Sequence, residues 1–388
     1  MSKGNYDLSI IIVSYNAIDF LKLTLDSVEK AISTLNAEVL LVDNSNNKNL
    51  KETVRNNYPF VKLIDNSVNL GFSKGNNLAL KQAKGKLALL LNPDTVVPED
   101  AFTYILHYYQ THPETGGLGL KMLDGKGSFL PESKRGFPSL SVSIFKLCRL
   151  HKFFPDSKII AKYYEGHLDH NSEQNVDVLS GACMVIPRGS DGTLSFLDES
   201  YFMYGEDIDL SYRLKLKHGN NIYYPKVSII HFKGQSTKTD VRIIKHFYNA
   251  MWLFYKQHIK PQKSVFTTSL TWIGIKTMTC YKILISKLSS SNPENCEPPS
   301  YNSVRLISDN DSLSALIGKQ LNTQVTVSGV NGQSINGQLT IFDFNSITYK
   351  EAIGIMANHT DNYGFMTRDL QSLIICQNPS EKGMAIHL

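Results

Sequence analysis

Residues 87–91 form an unbroken apolar run that stops in Asn92-Pro93-Asp94. Such a run reads as a buried strand, and proline ends it and stiffens the turn behind it. A carboxylate at the carboxyl end of a buried strand faces the crevice where open α/β sheets take their ligands. The chemistry that suits this acid is a divalent cation beside a nucleotide diphosphate. Magnesium takes one or two protein carboxylates and fills its other positions with phosphate oxygens and water. Upstream, Gly71 and Gly75 bracket a stretch, Asn69-Leu-Gly-Phe72-Ser-Lys-Gly-Asn76-Asn77, that reads as a loop before a helix. Glycines there let the backbone approach a phosphate or sugar, and the helix start that follows favours anions. An ordinary loop and N-cap would use the same residues.

The elements that must position these groups alternate. Residues 8–13 read as a strand, 20–32 as a helix, 38–42 as a strand ending in Asp43-Asn44, and 61–64 as a third strand. A helix over 76–83, the strand at 87–91 and a helix from 98 follow. Strands separated by helices of this size imply a mostly parallel sheet with right-handed crossovers. Residues 121–176 lose the rhythm and contain a basic, loop-like stretch around Ser133-Lys-Arg135-Gly-Phe-Pro138. A long irregular stretch inside a domain is usually functional. The strand pattern resumes over 176–187. Residues 201–217 read as a helix with acids near its start and bases near its end, the order its macrodipole prefers.

Composition narrows the class. The chain has 388 residues, 42% apolar and 19% charged, which describes a globular protein of two or three domains. A net charge of +5 suits an anionic substrate or membrane surface and does not single out nucleic acid. The five cysteines are scattered, without metal-ligand spacing, and their odd number argues for free thiols in a reducing compartment. No signal peptide is visible, so a cytoplasmic location is expected. Residues 241–260 form a basic, aromatic helix pattern. Residues 264–289 are long enough to cross a bilayer but carry internal lysines, which suits an interfacial helix better than a span. A helix packed on the enzyme body or in a homodimer is the other reading. The expected division is a catalytic domain at 1–240, a basic amphipathic tail at 241–290, a linker at 291–303 and a small α/β module at 304–388. That module lacks any Gly-x-Gly-x-x-Gly and is assigned no cofactor.

Several motifs stand in one order: Ser14-Tyr15-Asn16, Asp43-Asn44-Ser45, the 69–77 stretch, Asn92-Pro-Asp94, Ser180-Gly-Ala182, Tyr204-Gly-Glu206-Asp207-Ile-Asp209 and His231-Phe-Lys233-Gly. Together they resemble the family 2 inverting glycosyltransferases of the GT-A fold, a Rossmann-like mixed α/β sheet, and especially the rhamnosyltransferase-like members. The resemblance covers about residues 7–260. It implies that Asp43 receives hydrogen bonds from the base or ribose of the donor, with Ser14, Tyr15 and Asn16 lining the same pocket, although Asp43 also suits a simple turn. It implies that Asn69, Gly71, Phe72, Gly75 and Asn76 face the donor. Asn92 and Asp94 occupy the place of an Asp-x-Asp metal motif. Asn stands first here, which leaves Asp94 as the direct ligand to Mg²⁺ or Mn²⁺ and gives Asn92 to the donor. His231 matches a position that completes metal or diphosphate binding.

By the same resemblance Glu206-Asp207 carries the reaction, with Asp207 as general base; the residues themselves do not separate the two acids. Arg213, Lys233 and Arg135 are candidates to stabilise charge on the leaving diphosphate. The implied donor is a nucleoside-diphosphate sugar, dTDP-rhamnose first and a UDP-sugar second. The implied acceptor is a glycan or lipid-linked oligosaccharide. A nucleotidyltransferase would need a Gly-rich N-terminal phosphate loop, which Ser14-Tyr-Asn16 does not offer. A non-catalytic binding relative is the third reading, motivated by Asn92.

Overall fold

The computed structural model describes the chain except for residues 1–5, 67, 139–141, 143–152, 155, 234–240, 261–262, 289–300, 331–336 and 377–382. The linker expected at 291–303 therefore lies mostly outside the described residues.

Four parallel strands, β1 (Tyr6–Ser14), β2 (Ala37–Asp43), β3 (Val61–Asp65) and β4 (Gly85–Leu91), stand in the order β3-β2-β1-β4. They are linked by α1 (Ile18–Ile32), α2 (Lys48–Asn57) and α3 (Gly71–Leu80). Ile10, Ile11, Ile12, Leu40 and Leu41 are wholly buried, because helices cover both faces of the sheet. Leu21, Leu25 and Val28 of α1 cover one face, and Ala79 and Leu80 of α3 the other.

Beyond β4 come β5 (Thr95–Val96), α4 (Ala101–Thr111), β6 (Leu118–Leu123), β7 (Lys134–Arg135), β8 (Gln174–Val176), β9 (Val178–Leu179), β10 (Cys183–Pro187), α5 (Glu206–His218) and β11 (Asn221–His231). Strand β10 enters antiparallel between β4 and β6, and β11 lies parallel to β6 with β5 on its outer side. The sheet is therefore mixed.

Three local expectations change. Helix α3 starts at Gly71, five residues early, so Gly71, Phe72 and Gly75 lie in its first turns rather than in a free loop. The side chains of Asn44 and Asn69 accept from the Leu70 and Gly71 N–H groups and satisfy donors that a helix start leaves open. Gly71 has φ +78°, and a Cβ there would sit 2.4 Å from the Phe202 carbonyl oxygen. The strand expected over 176–187 breaks at Gly181. Helix α5 begins at Glu206 rather than at 201, because Tyr204 and Gly205 are both left-handed.

Helices α6 (Val241–Phe254) and α7 (Val265–Leu288) pack on one another, joined through a π-helical turn at Tyr255–Ile259. Among the described residues no helix is long and apolar enough to cross a membrane. The remainder builds β12 (Val304–Ile307), α8 (Asp311–Leu321), β13 (Val325–Ser328), β14 (Leu339–Asp343), α9 (Tyr349–Asn358), β15 (Asn362–Met366), β16 (Ser372–Ile375) and β17 (Met384–His387). Their strand order is β13-β12-β14-β15-β16-β17, parallel across the first four and antiparallel in the last two pairings.

The second sheet shares a core with the first. Phe232, just past β11, has its ring 5.4 Å from Phe20 of α1 and 5.0 Å from Phe365 of β15, edge-on to both. The Glu99 carboxylate accepts from the Tyr349 and Lys350 N–H groups at the start of α9, where a helix favours negative charge. A shared core predicts shared unfolding. Phe365→Ala is expected to destabilise the chain by about 3–5 kcal/mol. It should move the denaturation midpoint reported from the first sheet as well as the second; two transitions, only one of them shifted, would contradict this.

Candidate active site

The carboxyl ends of β1 and β2 lie side by side, with Ser14 in register with Asp43. Both side chains are buried. Asp43 Oδ1 accepts from the Ser45 N–H (2.9 Å) and hydroxyl (2.7 Å), the local turn bond open to any Asp-Asn-Ser. Asp43 Oδ2 and Ser14 Oγ have no hydrogen-bond partner. Tyr15 is half-buried and Asn16 is left-handed (φ +53°). Two buried oxygens without hydrogen-bond donors at adjoining strand ends, with Lys51 Nζ 4.0 Å from Asp43 Oδ2, form a place that can take hydrogen bonds from a ligand.

Asn44 and Asn69 have a different task. The Asn44 amide donates to Asn69 Oδ1 and the Gly71 carbonyl, while its oxygen accepts from Asn66 and Leu70. They knit the 66–71 segment to β2. Asn76 donates to the Phe72 carbonyl within α3, and a Cβ on Gly75 would meet Val13 at 2.9 Å, so both serve helix packing.

On the other side of β1, the turn after β4 carries Asn92 and Asp94. Thr24 of α1, buried, has its hydroxyl within 2.9 Å of the Pro93 and 2.8 Å of the Thr95 carbonyl oxygens, either of which can take its one proton, and accepts from the Thr95 N–H. Strand β5 pairs Thr95 with His231. This places His231 Nε2 3.4 Å from Asp94 Oδ1 and 3.2 Å from the Asn92 amide nitrogen. Asp94 is 4% exposed, and its Oδ1 and His231 Nδ1 lack hydrogen-bond partners. A buried carboxylate oxygen beside an imidazole nitrogen suits a divalent cation in chemical type. Among the described residues no group of three such side chains gathers, so solvent and ligand oxygens would complete any coordination sphere.

The catalytic candidates stand at the start of α5. Asp207 Oδ2 is bonded to Arg135 Nη2 and lies 3.3 Å from the Gly181 N–H. Arg135 also donates to the Leu179 carbonyl and is buried. A Cβ on Gly181 would contact Asp207 and the Phe72 ring, so these three residues meet. Glu206 is buried with Oε2 unpartnered; burial and then the Asp207 charge push its carboxyl well above the ordinary range. The two sides connect through β10. Cys183 pairs with Leu91, and the Asn92 N–H donates to the Ala182 carbonyl at 2.9 Å.

The three cations proposed for the diphosphate all have protein partners. Arg135 is bonded to Asp207, Lys233 to Glu132 at 2.6 Å, and Arg213 to Asp209 and the Phe196 carbonyl. Sequence reasoning missed Thr24 and the pairing of Arg135 with Asp207. A buried threonine in a helix carries no pattern, and two residues 72 positions apart meet only in the fold.

Residues 9–194 match the glycosyl transferase family 2 model. Over 245 residues the chain is 30% identical to an N-acetylglucosaminyl-diphospho-decaprenol L-rhamnosyltransferase of Mycobacterium tuberculosis, covering 60% of this chain and 78% of that one. The chain belongs to glycosyl transferase family 2. This transferase is also 28% identical over 244 residues to the rhamnosyltransferase WbbL of Escherichia coli, across 59% of this chain and 85% of that one. A solved mannosyltransferase from Pyrobaculum calidifontis, in complex with GDP-Man and Mn²⁺, overlays 74% of the chain and 77% of its own at TM-score 0.46 and 12% identity. The core of this chain is the nine-stranded mixed α/β sheet, the GT-A arrangement expected of family 2.

Two measurements follow from the Glu206 and Arg135 environments. A carboxyl raised in the fold above its ordinary 4.5 adds stability that is complete below that pH and lost as pH rises through the raised value. Thermal midpoints of Glu206→Gln are therefore expected to fall less steeply above that pH than those of the wild type; parallel profiles would contradict the assignment. Arg135→Met leaves Asp207 without its partner and is expected to cost about 3–5 kcal/mol in chemical denaturation.

Proposed function

We propose that this glycosyltransferase moves a hexose, with inversion, from a nucleoside-diphosphate sugar to a hydroxyl of a glycan or lipid-linked oligosaccharide in cell-surface polysaccharide synthesis. The observation that supports the reading is a set of buried oxygens without hydrogen-bond donors at the strand ends, on Ser14, Asp43 and Asp94, with the turn of Asp94 tied through β10 to the Gly181 N–H from which Asp207 accepts. Rhamnose from dTDP-rhamnose is the first donor assignment, supported by the names of the two relatives; UDP-galactose or UDP-N-acetylglucosamine is the second.

Asp43 and Ser14 would accept hydrogen bonds from the donor's base or ribose, and Tyr15 and Asn16 would border that pocket. Asp94 and His231 would hold a divalent cation, with Asn92 beside them. Such an ion, when bound, offsets the negative charge that gathers on the leaving diphosphate. On the acceptor side, Asp207 takes the hydroxyl proton as that oxygen attacks the anomeric carbon. The bond from that carbon to the diphosphate oxygen breaks, and its electron pair leaves with the phosphate. A positioned carboxylate base contributes about 10²–10⁴-fold. Arg135 and the Gly181 N–H grip Asp207 Oδ2 and set the plane of the carboxylate. We place the enzyme in the cytoplasm, at the inner face of the membrane.

The reading separates into two variants. Asp207→Asn is expected to keep nucleotide-sugar binding and lose about 10²–10⁴-fold in kcat. Asp94→Ala is expected to lose the Mn²⁺-dependent part of the thermal stabilisation by dTDP-rhamnose or UDP-sugars. Undiminished turnover in Asp207→Asn would remove it as the base, and Mn²⁺-dependent stabilisation unchanged in Asp94→Ala would remove that residue from the cation site.

A further inference from the structure

The helix pair α6–α7 leaves one face uncovered. Thr271 of α7 is buried, and Thr268, Ile275 and Met278 are half-buried. On the opposite side Phe266 (77% exposed), Leu270 (50%), Ile273 (53%) and Leu284 (57%) point to solvent, with Thr277 and Cys280 filling the same line. Their spacing alternates between three and four residues, which draws a single stripe along the helix. Trp272 and Tyr281 widen it. A soluble surface seldom exposes so continuous an apolar face without a partner for it.

Charge decides which partner. From residue 241 to 293 the chain has eight Lys and Arg and no Asp or Glu. The remainder, with 32 basic and 35 acidic side chains, is net negative. The whole positive balance therefore lies on this hairpin and the residues that adjoin it. Lys276, exposed, flanks the stripe, while Lys282 stands on the side turned to α6. A second copy would lay eight cations against eight. An anionic bilayer surface offers opposite charge to the lysines and an apolar interior to the stripe, the two terms that hold an amphipathic helix in the interface.

We propose that α7 docks flat on an anionic lipid surface, with Phe266, Leu270, Ile273 and Leu284 inserted among the acyl chains and Lys276 at the headgroups. The placement serves the catalytic side. Tyr204, Ile243, Phe247, Tyr248 and Lys282 line an apolar cavity of about 280 Å³ at the root of the hairpin, and Tyr204 lies two residues before Glu206. A lipid-borne acceptor held in that interface would meet the enzyme beside Asp207. This step rests on the lipid-linked acceptor reading; the docking itself does not.

The test is co-sedimentation of the full chain with phosphatidylcholine vesicles, with and without phosphatidylglycerol, at low and high salt. Binding is expected only with phosphatidylglycerol and should weaken in salt. Ile273→Glu with Leu284→Glu should lower vesicle affinity at least tenfold. Lys276→Gln should lower it about fivefold. Nucleotide-sugar stabilisation should be unchanged in all three substitutions, which separates lost docking from misfolding. Equal binding to both vesicle types, or none to either, overturns the proposal. So does a dimer in light scattering that Ile273→Glu converts to monomer, since a second copy would then own the face. Vesicle binding without any nucleotide-sugar binding leaves the docking standing and refutes the catalytic reading.

Discussion

One antiparallel pairing holds the two halves of the site together. Strand β10 runs against β4 with Cys183 opposite Leu91, and the Asn92 N–H closes on the Ala182 carbonyl. The strand ends that carry Asp94 are thereby tied to the segment that touches Asp207 through Gly181. Without β10 the first four strands would still make a parallel sheet, but the acid of α5 would have no fixed relation to it. A side chain at 181 would press on Asp207 and Phe72, so a glycine at this crossing lets the two sides approach.

The second theme is polar groups buried without partners. An unmade hydrogen bond on a buried atom costs roughly 1–3 kcal/mol. Ser14 and Asp43 carry one each at adjoining strand ends, Asp94 and His231 beside β5, and Glu206 at the start of α5. Others lie elsewhere, Glu165 and Thr340 among them, so an orphan atom alone does not define a site. The surrounding structure maintains the strained set. Thr24 braces the turn before Asp94, Asn44 laces the loop beside Asp43, and Phe232 anchors the backbone next to His231 between Phe20 and Phe365. The second sheet thus reaches the catalytic one through the residue that follows a candidate cation ligand.

Much of the fold was legible because its signals are local. The apolar runs at 10–12, 39–42 and 87–91 can only be buried strands, and the helical spacing of α1 is plain. Helix α2 was not legible, since Leu50 and Val54 are its only buried side chains. The starts of α3 and α5 were displaced because side chains remote in the chain set them: Asn44 satisfies the first turn of α3, and Tyr201 and Ala250 crowd the left-handed Gly205 before α5.

The order and types of the motif residues were determined by the sequence alone, and with them the family and the reaction class. Which groups remain free to act was decided only in three dimensions. Arg135, Arg213 and Lys233 read alike as cations; Arg213 takes Asp209 at the ordinary i,i+4 helix spacing, but Arg135 and Lys233 are paired with acids that no spacing rule would have chosen. Asn44 and Asp43 are neighbours in the chain, yet one is consumed in lacing a loop and the other keeps an oxygen open. Chemistry at a site depends on the bonds a side chain has not already made, and those are a property of the packed chain.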